Sequence, residues 1–232
     1  MDKPLWAWGL FLSIVLILLV LDLGAFNKKD HEIGVRESLL LSAFYIVMAL
    51  LFAIWIWYQH GSQSGEEYLT GYLIEKSLSL DNIFVTSLIF SYLGIPRLYQ
   101  HRVLFWGILG VIIFRGIMIG VGTKLVSEFS WTLYIFALFL VFTGIKMLFT
   151  KDHNTDIADN KLLQYIQSHL RVTKELHDNH FFVMLKDTKS QKNLLWCTPL
   201  FVALLMIECV DALFAVDSVP AIFAITTDTY II

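Results

Sequence analysis

Cysteine is scarce in this sequence, since only Cys197 and Cys209 occur among its 232 residues. Two cysteines make no disulfide framework, and their spacing fits neither a CxxC redox pair nor a zinc site. Both lie in an apolar stretch, where a free cysteine ordinarily acts as a small hydrophobic residue. A disulfide-stabilised or zinc-binding domain is therefore excluded.

Charged residues are also few, at 16% of the chain with a net charge of −3. No basic face is large enough to bind nucleic acid. The sequence lacks a nucleophile–base pair, a phosphate-binding glycine loop and a histidine cluster with ligand spacing. These absences argue against a nucleic-acid partner and against an enzyme.

Apolar residues, in contrast, make up 57% of the chain, and the mean hydropathy is +0.67. A soluble domain is about 45–50% apolar, so this excess indicates contact with the lipid bilayer. A helix that crosses the bilayer needs about 20 apolar residues. Six stretches meet this need: Leu5–Phe26, Leu39–Tyr58, Tyr68–Leu93, Val103–Val121, Trp131–Phe149 and Leu194–Ile225. We therefore predict an all-α polytopic membrane protein.

Three regions follow from these runs. Residues 1–149 are predicted to hold five transmembrane helices, the first of them retained rather than cleaved as a signal peptide. Residues 150–193 form a polar loop, with a short amphipathic helix near Asn160–Leu170. Residues 194–232 hold the sixth helix and the start of a seventh. The chain ends on Tyr230-Ile231-Ile232 without flanking anchors, which indicates a truncated sequence, a fragment of a longer protein.

Lys and Arg are distributed unequally between the two sides of the predicted membrane. The loops after spans one, three and five are rich in them, whereas the other side carries only Lys3 and Lys124. By the positive-inside rule, the N-terminus lies outside and the loop 150–193 lies in the cytoplasm.

Spans three and six carry acidic residues in a shared pattern. Ionisable groups in the hydrocarbon core cost at least about 2.5–3.5 kcal/mol each, so they are candidates for function. Moving the first segment forward by 136 positions superimposes two acids and a small polar residue in each span. The six residues of this candidate metal site are Glu75, Asp81, Asn82, Asp211, Asp217 and Ser218.

The two spans are three apart in the chain, so they cross the bilayer in opposite directions. This is the layout of a helical bundle with inverted three-helix repeats, and the second repeat is incomplete in this chain. One arrangement crosses the helices so that Asp81 meets Asp211 and Glu75 meets Asp217. In the other, each helix breaks near its acid and exposes carbonyl ligands, which Pro220 favours in span six.

The chemistry of these ligands favours a hard cation. Carboxylates, amide oxygens, hydroxyls and carbonyls suit Mg²⁺, Ca²⁺ or Mn²⁺, whereas soft metals prefer thiolate or imidazole. All seven histidines fall in loops or at the ends of spans. We therefore expect a transported divalent cation and no permanently bound cofactor.

Buried ion pairs are the alternative role for these acids. Arg115, Lys76 and Lys146 are available partners, and buried charges are normally paired. Arg115 fits a structural counter-charge better than a gating residue. Glu208 lies three residues before Asp211 and so shares its helix face. Glu208, Arg115 and Asp22, which lies near the inner end of span one, are accessory candidates.

Two segments of the sequence resemble the signature segments of TerC family membrane proteins, and among them the bacterial Alx subgroup. The first is Glu75-Lys-Ser-Leu-Ser-Leu-Asp81-Asn82-Ile-Phe-Val85, and the second is Asp211-Ala-Leu-Phe-Ala-Val-Asp217-Ser-Val-Pro-Ala-Ile-Phe-Ala. The resemblance extends to Tyr134-Ile-Phe-Ala, Phe142-Thr-Gly-Ile-Lys146 and His180-Phe-Phe-Val183.

That family is grouped with cation exporters of the LysE type, and it is linked to tellurium resistance and manganese efflux. The resemblance implies Mn²⁺ export in metal homeostasis, from a multi-pass position in the bacterial inner (cell) membrane. It also implies about three further spans, which this chain lacks, and it leaves the thiol of Cys209 unexplained. The competing hypothesis is a membrane module that organises protein partners in a metal, pH or redox stress response. The ion, its coupling and the oligomeric state stay open.

Overall fold

The computed structural model describes residues 5–20, 34–149, 161–173, 175–186 and 193–232. Asp22 therefore lies outside the described residues. Within these ranges the chain forms seven helices and two strands. They are α1 (Leu5–Val20), α2 (Val35–His60), α3 (Ser62–Tyr92), α4 (Arg97–Glu128), α5 (Thr132–Phe149), α6 (Lys161–His169), β1 (Phe182–Lys186), β2 (Asn193–Cys197) and α7 (Pro199–Phe223).

Helices α2, α4 and α7 are each long and apolar enough to cross a membrane. Shorter apolar helical stretches occur at Trp8–Leu18 and Thr132–Lys146. Together they make the chain a predominantly helical, multi-pass membrane protein, which confirms the predicted fold class. The exact number of spans stays a prediction.

Helix α3 is less apolar than these three because it carries Glu66, Glu67, Glu75, Lys76 and Asp81. It is nevertheless continuous through its acidic segment. Helix α7 is likewise continuous through its acids and past Pro220, and ends three residues later. The structure therefore does not contain the helix breaks that one of the two predicted arrangements requires.

Contacts between the helices fix their directions. The Cα of Gly71 in α3 faces Ile222 in α7, since a Cβ there would lie 3.7 Å from the Ile222 Cδ1. Further along α3, Asn82 shares a cavity with Asp211. As residue numbers increase along α3, the residues opposite them in α7 have decreasing numbers. The two acidic segments therefore run antiparallel, as predicted. Helix α4 runs parallel to α7.

The region before α7 differs from the prediction. The sixth span was predicted to begin near Leu194, but residues 193–197 form strand β2, which pairs antiparallel with β1. The helix begins only after Thr198, whose backbone is extended, with Pro199 in its first turn. Proline is favoured there because its fixed φ suits the first turn and it has no N–H to leave unpaired. The hydrophobic run alone did not reveal this boundary.

The best-packed part of the molecule lies where α3 ends and α4 begins, referred to below as the α3–α4 end. Leu163 and Ile166 of α6 are buried there against residues of α3, α4 and α7. Thr198 also ties β2 to this region, since its hydroxyl donates to the carbonyl oxygen of His180 at 2.7 Å. Helix α6 falls inside the predicted amphipathic segment, and the hairpin forms a cap over the same end.

Residues 224–232 form turns rather than a helix. The Tyr230 ring packs edge-on against Trp8 of α1, with centroids 5.3 Å apart. It also lies 6.3 Å from the Phe52 ring of α2. These contacts connect α1 and α2 to the residues after α7. The predicted start of a seventh span stays a prediction.

Two glycines of α4 offer a matched test of the α4–α7 packing. A Cβ at Gly122 would lie 2.6 Å from the Phe223 ring, whereas one at Gly120 would meet nothing within 4 Å. We expect Gly122→Ala to lower stability by about 1–3 kcal/mol through overpacking. Gly120→Ala should raise it by up to about 1 kcal/mol, because alanine is the better helix former. Thermal unfolding of both variants in detergent measures the difference, and equal melting temperatures would contradict the packing.

Candidate metal-ion site

The register of α3 against α7 sets which polar residues face each other. Gly71 lies opposite Ile222, and Asn82 and Asp211 line one cavity. In this register Glu75 lies level with the start of the Asp217–Ser218 segment. The acidic segments of the two helices thus lie at similar depths, but the crossing arrangement, in which Asp81 meets Asp211 and Glu75 meets Asp217, stays a prediction.

A cavity of about 570 Å³ separates α3, α4 and the middle of α7. At one end lie Asn82 and Asp211, and at the other lie Ser91 and Arg97, at the α3–α4 end. Its wall includes further uncharged polar side chains from α3 and α4: Thr86, Ser87 and Gln100. We call this the outer cavity because it extends to the α3–α4 end of the helices, and the name does not refer to a side of the membrane. The cavity therefore has polar residues along its length, from Asp211 to the α3–α4 end.

Two oxygen atoms in the acidic segments are buried without a partner. The Oδ1 of Asn82 and the Oγ of Ser218 have no hydrogen bond within the described part of the chain. Leaving a buried polar atom unpaired costs about 1–3 kcal/mol, so such atoms call for an explanation. The Asn82 side chain lines the outer cavity, so its unpaired oxygen lies beside that space.

A second cavity, of about 200 Å³, lies between α4 and α7. Arg115 of α4 lines it together with Glu208, Cys209 and Asp211 of α7. We call this the inner cavity. Asp211 lines both cavities, so this residue lies between them.

Arg115 of α4 forms an ion pair with Glu75 of α3, from its Nη1 to the Glu75 Oε1. The Nε of the same guanidinium is buried and has no partner within the described residues. Arg115 therefore bridges α3 and α7, since its side chain contacts an acid of the first while lining a cavity with two acids of the second.

Gly110 of α4 lets the Glu208 carboxylate approach closely. A Cβ at this position would overlap the carboxylate of Glu208. The neighbouring glycine at position 116 has open space instead. Only a residue without a side chain fits at position 110 while Glu208 keeps its place, so this glycine belongs to the site.

The remaining predicted residues are less closely associated. Asp81 is exposed on α3, and Asn82 rather than Asp81 lines the outer cavity with Asp211. Asp217 is half-buried, and Ser218 is buried with 2% exposure. Within the described ranges, no three His, Cys, Asp or Glu side chains converge as a preformed metal site. The predicted metal site thus stays a prediction, with its ligands spread along two helices.

The sequence did not single out Thr86, Ser87 or Gln100. A signal for Thr86 was present, because it lies one helical turn after Asn82 and so continues its face. Gly110 fits a helix-packing glycine of span four, but its contact with Glu208 depends on the position of a side chain on another helix.

Comparison with known proteins now identifies the family. The model of the family described as "Integral membrane protein TerC family" matches residues 60–232, which includes α3, α4, α7 and both acidic segments. The chain belongs to the TerC family. The expected resemblance is therefore confirmed over most of the chain.

Relatives of this TerC protein occur in several bacteria. An "Uncharacterized membrane protein" of Rickettsia bellii is 49% identical over 97% of this chain and 73% of the relative. A "Putative membrane-bound redox modulator Alx" of Photorhabdus laumondii is 42% identical over 97% of this chain and 71% of the relative. No solved structure matches the chain.

Proposed function

We propose that this TerC protein transports a divalent metal cation across the membrane, and that Mn²⁺ export is its activity. One observation carries the proposal. Asn82, whose amide oxygen has no partner among the described residues, and Asp211 line one cavity between the helices. An acid in such a place costs free energy unless a cation or a proton compensates it.

The ligands suit a hard cation that keeps part of its water. Mg²⁺-like ions are commonly held by one or two carboxylates and several waters, and Mn²⁺ accepts the same oxygen ligands. Six waters at about 30 Å³ each occupy roughly 180 Å³. The outer cavity, at about 570 Å³, has room for a hydrated ion. A site with few protein ligands also fits transport, because an ion that binds too tightly does not leave.

The direction of transport rests on the orientation of the chain. The positive-inside rule puts the α3–α4 end in the cytoplasm and the N-terminus outside. The outer cavity, which extends from Asp211 to Ser91 and Arg97, then connects the acids with the cytoplasm. A cation taken from that side and released on the other is exported. For a bacterial protein the membrane concerned is the inner, or cell, membrane.

A second candidate is a module for stress responses that acts on protein partners, which the printed name of the Photorhabdus relative favours. The cysteines weaken its redox form. Cys209 lies ten residues into the helix that begins at Pro199, so it is about 15 Å along the axis from the helix start. Disulfides need Cα atoms about 5–6 Å apart, so Cys197 and Cys209 cannot pair within one chain. Burial also raises the pKa of the Cys197 thiol, which disfavours the reactive thiolate.

Metal uptake into inverted membrane vesicles tests the proposal. We expect vesicles with this protein to accumulate Mn²⁺ above vesicles without it, and to discriminate against Zn²⁺, because oxygen ligands do not favour a softer ion. Mg²⁺ and Ca²⁺ are compared in parallel to rank the hard ions.

Two results separate the candidates. A Cys197→Ala/Cys209→Ala variant should keep its Mn²⁺ uptake if the protein is a transporter of hard cations. Absence of uptake of all four ions by the unaltered protein would overturn the transport proposal and favour the partner-organising module.

A further inference from the structure

Arg115 lies near three acidic residues, whereas its guanidinium carries a single positive charge. Its guanidinium pairs with Glu75 of α3 and lines the inner cavity with Glu208 and Asp211 of α7. It interacts electrostatically with Asp211 as well, and Glu208 interacts with Asp211. No other Lys or Arg lines the inner cavity among the described residues. Three carboxylates thus share one fixed positive charge.

The hydrogen bonding of Arg115 is also incomplete. A guanidinium carries five N–H donors, and a structural Arg in a buried pair normally uses several of them. Here the Nη1 is bonded to Glu75, while the Nε is buried without a partner in the described ranges. The guanidinium thus bonds to an acid of α3 and keeps an unused donor, its Nε, within the described residues.

We propose that the Arg115 guanidinium is a built-in competitor of the transported cation, neutralising the acids of α3 and α7 in its absence and giving up Asp211 when it binds. This inference rests on the proposed function. A divalent ion at Asp211 lies at the boundary of the cavity that Arg115 lines, so the two positive charges repel each other. Arg115 then stays with Glu75, and its return toward Asp211 assists release of the ion.

The competition differs from a purely structural ion pair in what it predicts. A structural pair holds α3 against α4 and leaves the affinity for the ion unchanged once the fold is kept. A competitor lowers that affinity, so its removal tightens binding while slowing release. The coupling is reciprocal. The free energy by which Arg115 weakens ion binding equals the free energy by which the bound ion weakens the contact between Arg115 and Asp211.

Binding of Mn²⁺ to the purified protein in lipid nanodiscs, followed by the electron paramagnetic resonance signal of free Mn²⁺, measures this directly. We expect Arg115→Gln to bind Mn²⁺ about tenfold more tightly than the unaltered protein, within the usual range of coupling between two binding events. In vesicles the same variant should show a lower KM and a lower kcat. Arg115→Lys keeps the charge and should restore both constants to within about threefold, because only its fork geometry is lost.

A second pair of variants controls for an effect on folding, since Arg115→Gln also removes the ion pair with Glu75. Glu75→Gln and Glu75→Gln/Arg115→Gln both lack the ion pair and differ only in the guanidinium. Tighter Mn²⁺ binding by the double variant supports competition at Asp211, and equal binding by the two overturns it. Lys124→Gln, an exposed basic residue of the same helix, serves as the control for loss of charge and should bind as the unaltered protein does.

The outcome for the unaltered protein separates the two proposals. If it transports Mn²⁺ and removal of the guanidinium leaves affinity unchanged or weaker, only the role of Arg115 is wrong. If it neither binds nor transports any cation, the proposed function is wrong, and the proposed role of Arg115 is then wrong as well.

Discussion

Asp211→Asn is expected to reduce Mn²⁺ export by roughly a hundredfold, because removing one charge from a buried ionic contact costs about 3 kcal/mol. Among the described residues, Asp211 is the one acid that lines both cavities, and it shares the outer cavity with Asn82. The asparagine keeps the size of the side chain and removes only its charge. Uptake into inverted vesicles and manganese tolerance of cells that lack other exporters both report the loss.

The control for this variant is Glu66→Gln, which removes an exposed acid of α3 outside both cavities and should leave uptake unchanged. The sequence alone predicts equal losses for Asp81→Asn and Asp217→Asn. The structure ranks both below Asp211→Asn, since neither Asp81 nor Asp217 lines either cavity. Full uptake by Asp211→Asn, at protein levels matched by immunoblot, would remove this carboxylate from the path.

Leu200→Ala should destabilise the fold by about 2–5 kcal/mol, the cost of truncating a fully buried leucine. The Leu200 side chain is 0% exposed and belongs to the cluster in which α6 packs against α3, α4 and α7. Its truncation opens a cavity where α7 begins. Thermal unfolding in detergent, followed by fluorescence-detected size exclusion, measures the loss.

Leu213→Ala is the matched control, because Leu213 lies on the same helix and is 67% exposed. Its truncation should leave the melting temperature almost unchanged, within about 0.5 kcal/mol. Equal losses for the two variants would show that the cluster at the α3–α4 end is not the main source of stability.

The prediction from sequence was most accurate where local hydrophobicity decides the result. Four of the predicted spans lie inside α2 to α5 or within one residue of their ends, because a long apolar run needs a helix to pair its backbone in lipid. The opposite directions of the two acidic segments also followed from the number of spans between them. The strand Asn193–Cys197 was missed, since a short apolar run is compatible with either a helix or a strand.

The site was harder to predict because it depends on rotation about the helix axis. Successive residues of a helix point about 100° apart, so Asp81 and Asn82 face different directions although they are neighbours. Their spacing in the chain does not show which of them faces α7. In the structure Asn82 lines the same cavity as Asp211, and Asp81 is exposed.

The sequence by itself determined that this is a multi-spanning TerC protein with acids on two antiparallel helices, because hydropathy, charge and span number are properties of each segment alone. Only the tertiary structure decided that Asp211 lines two cavities, that the Glu208 carboxylate lies against Gly110, and that Arg115 lies beside acids of both α3 and α7. These relations arise from the packing of α7 against both α3 and α4. Distances between side chains on different helices are set by that packing, and no single segment contains them.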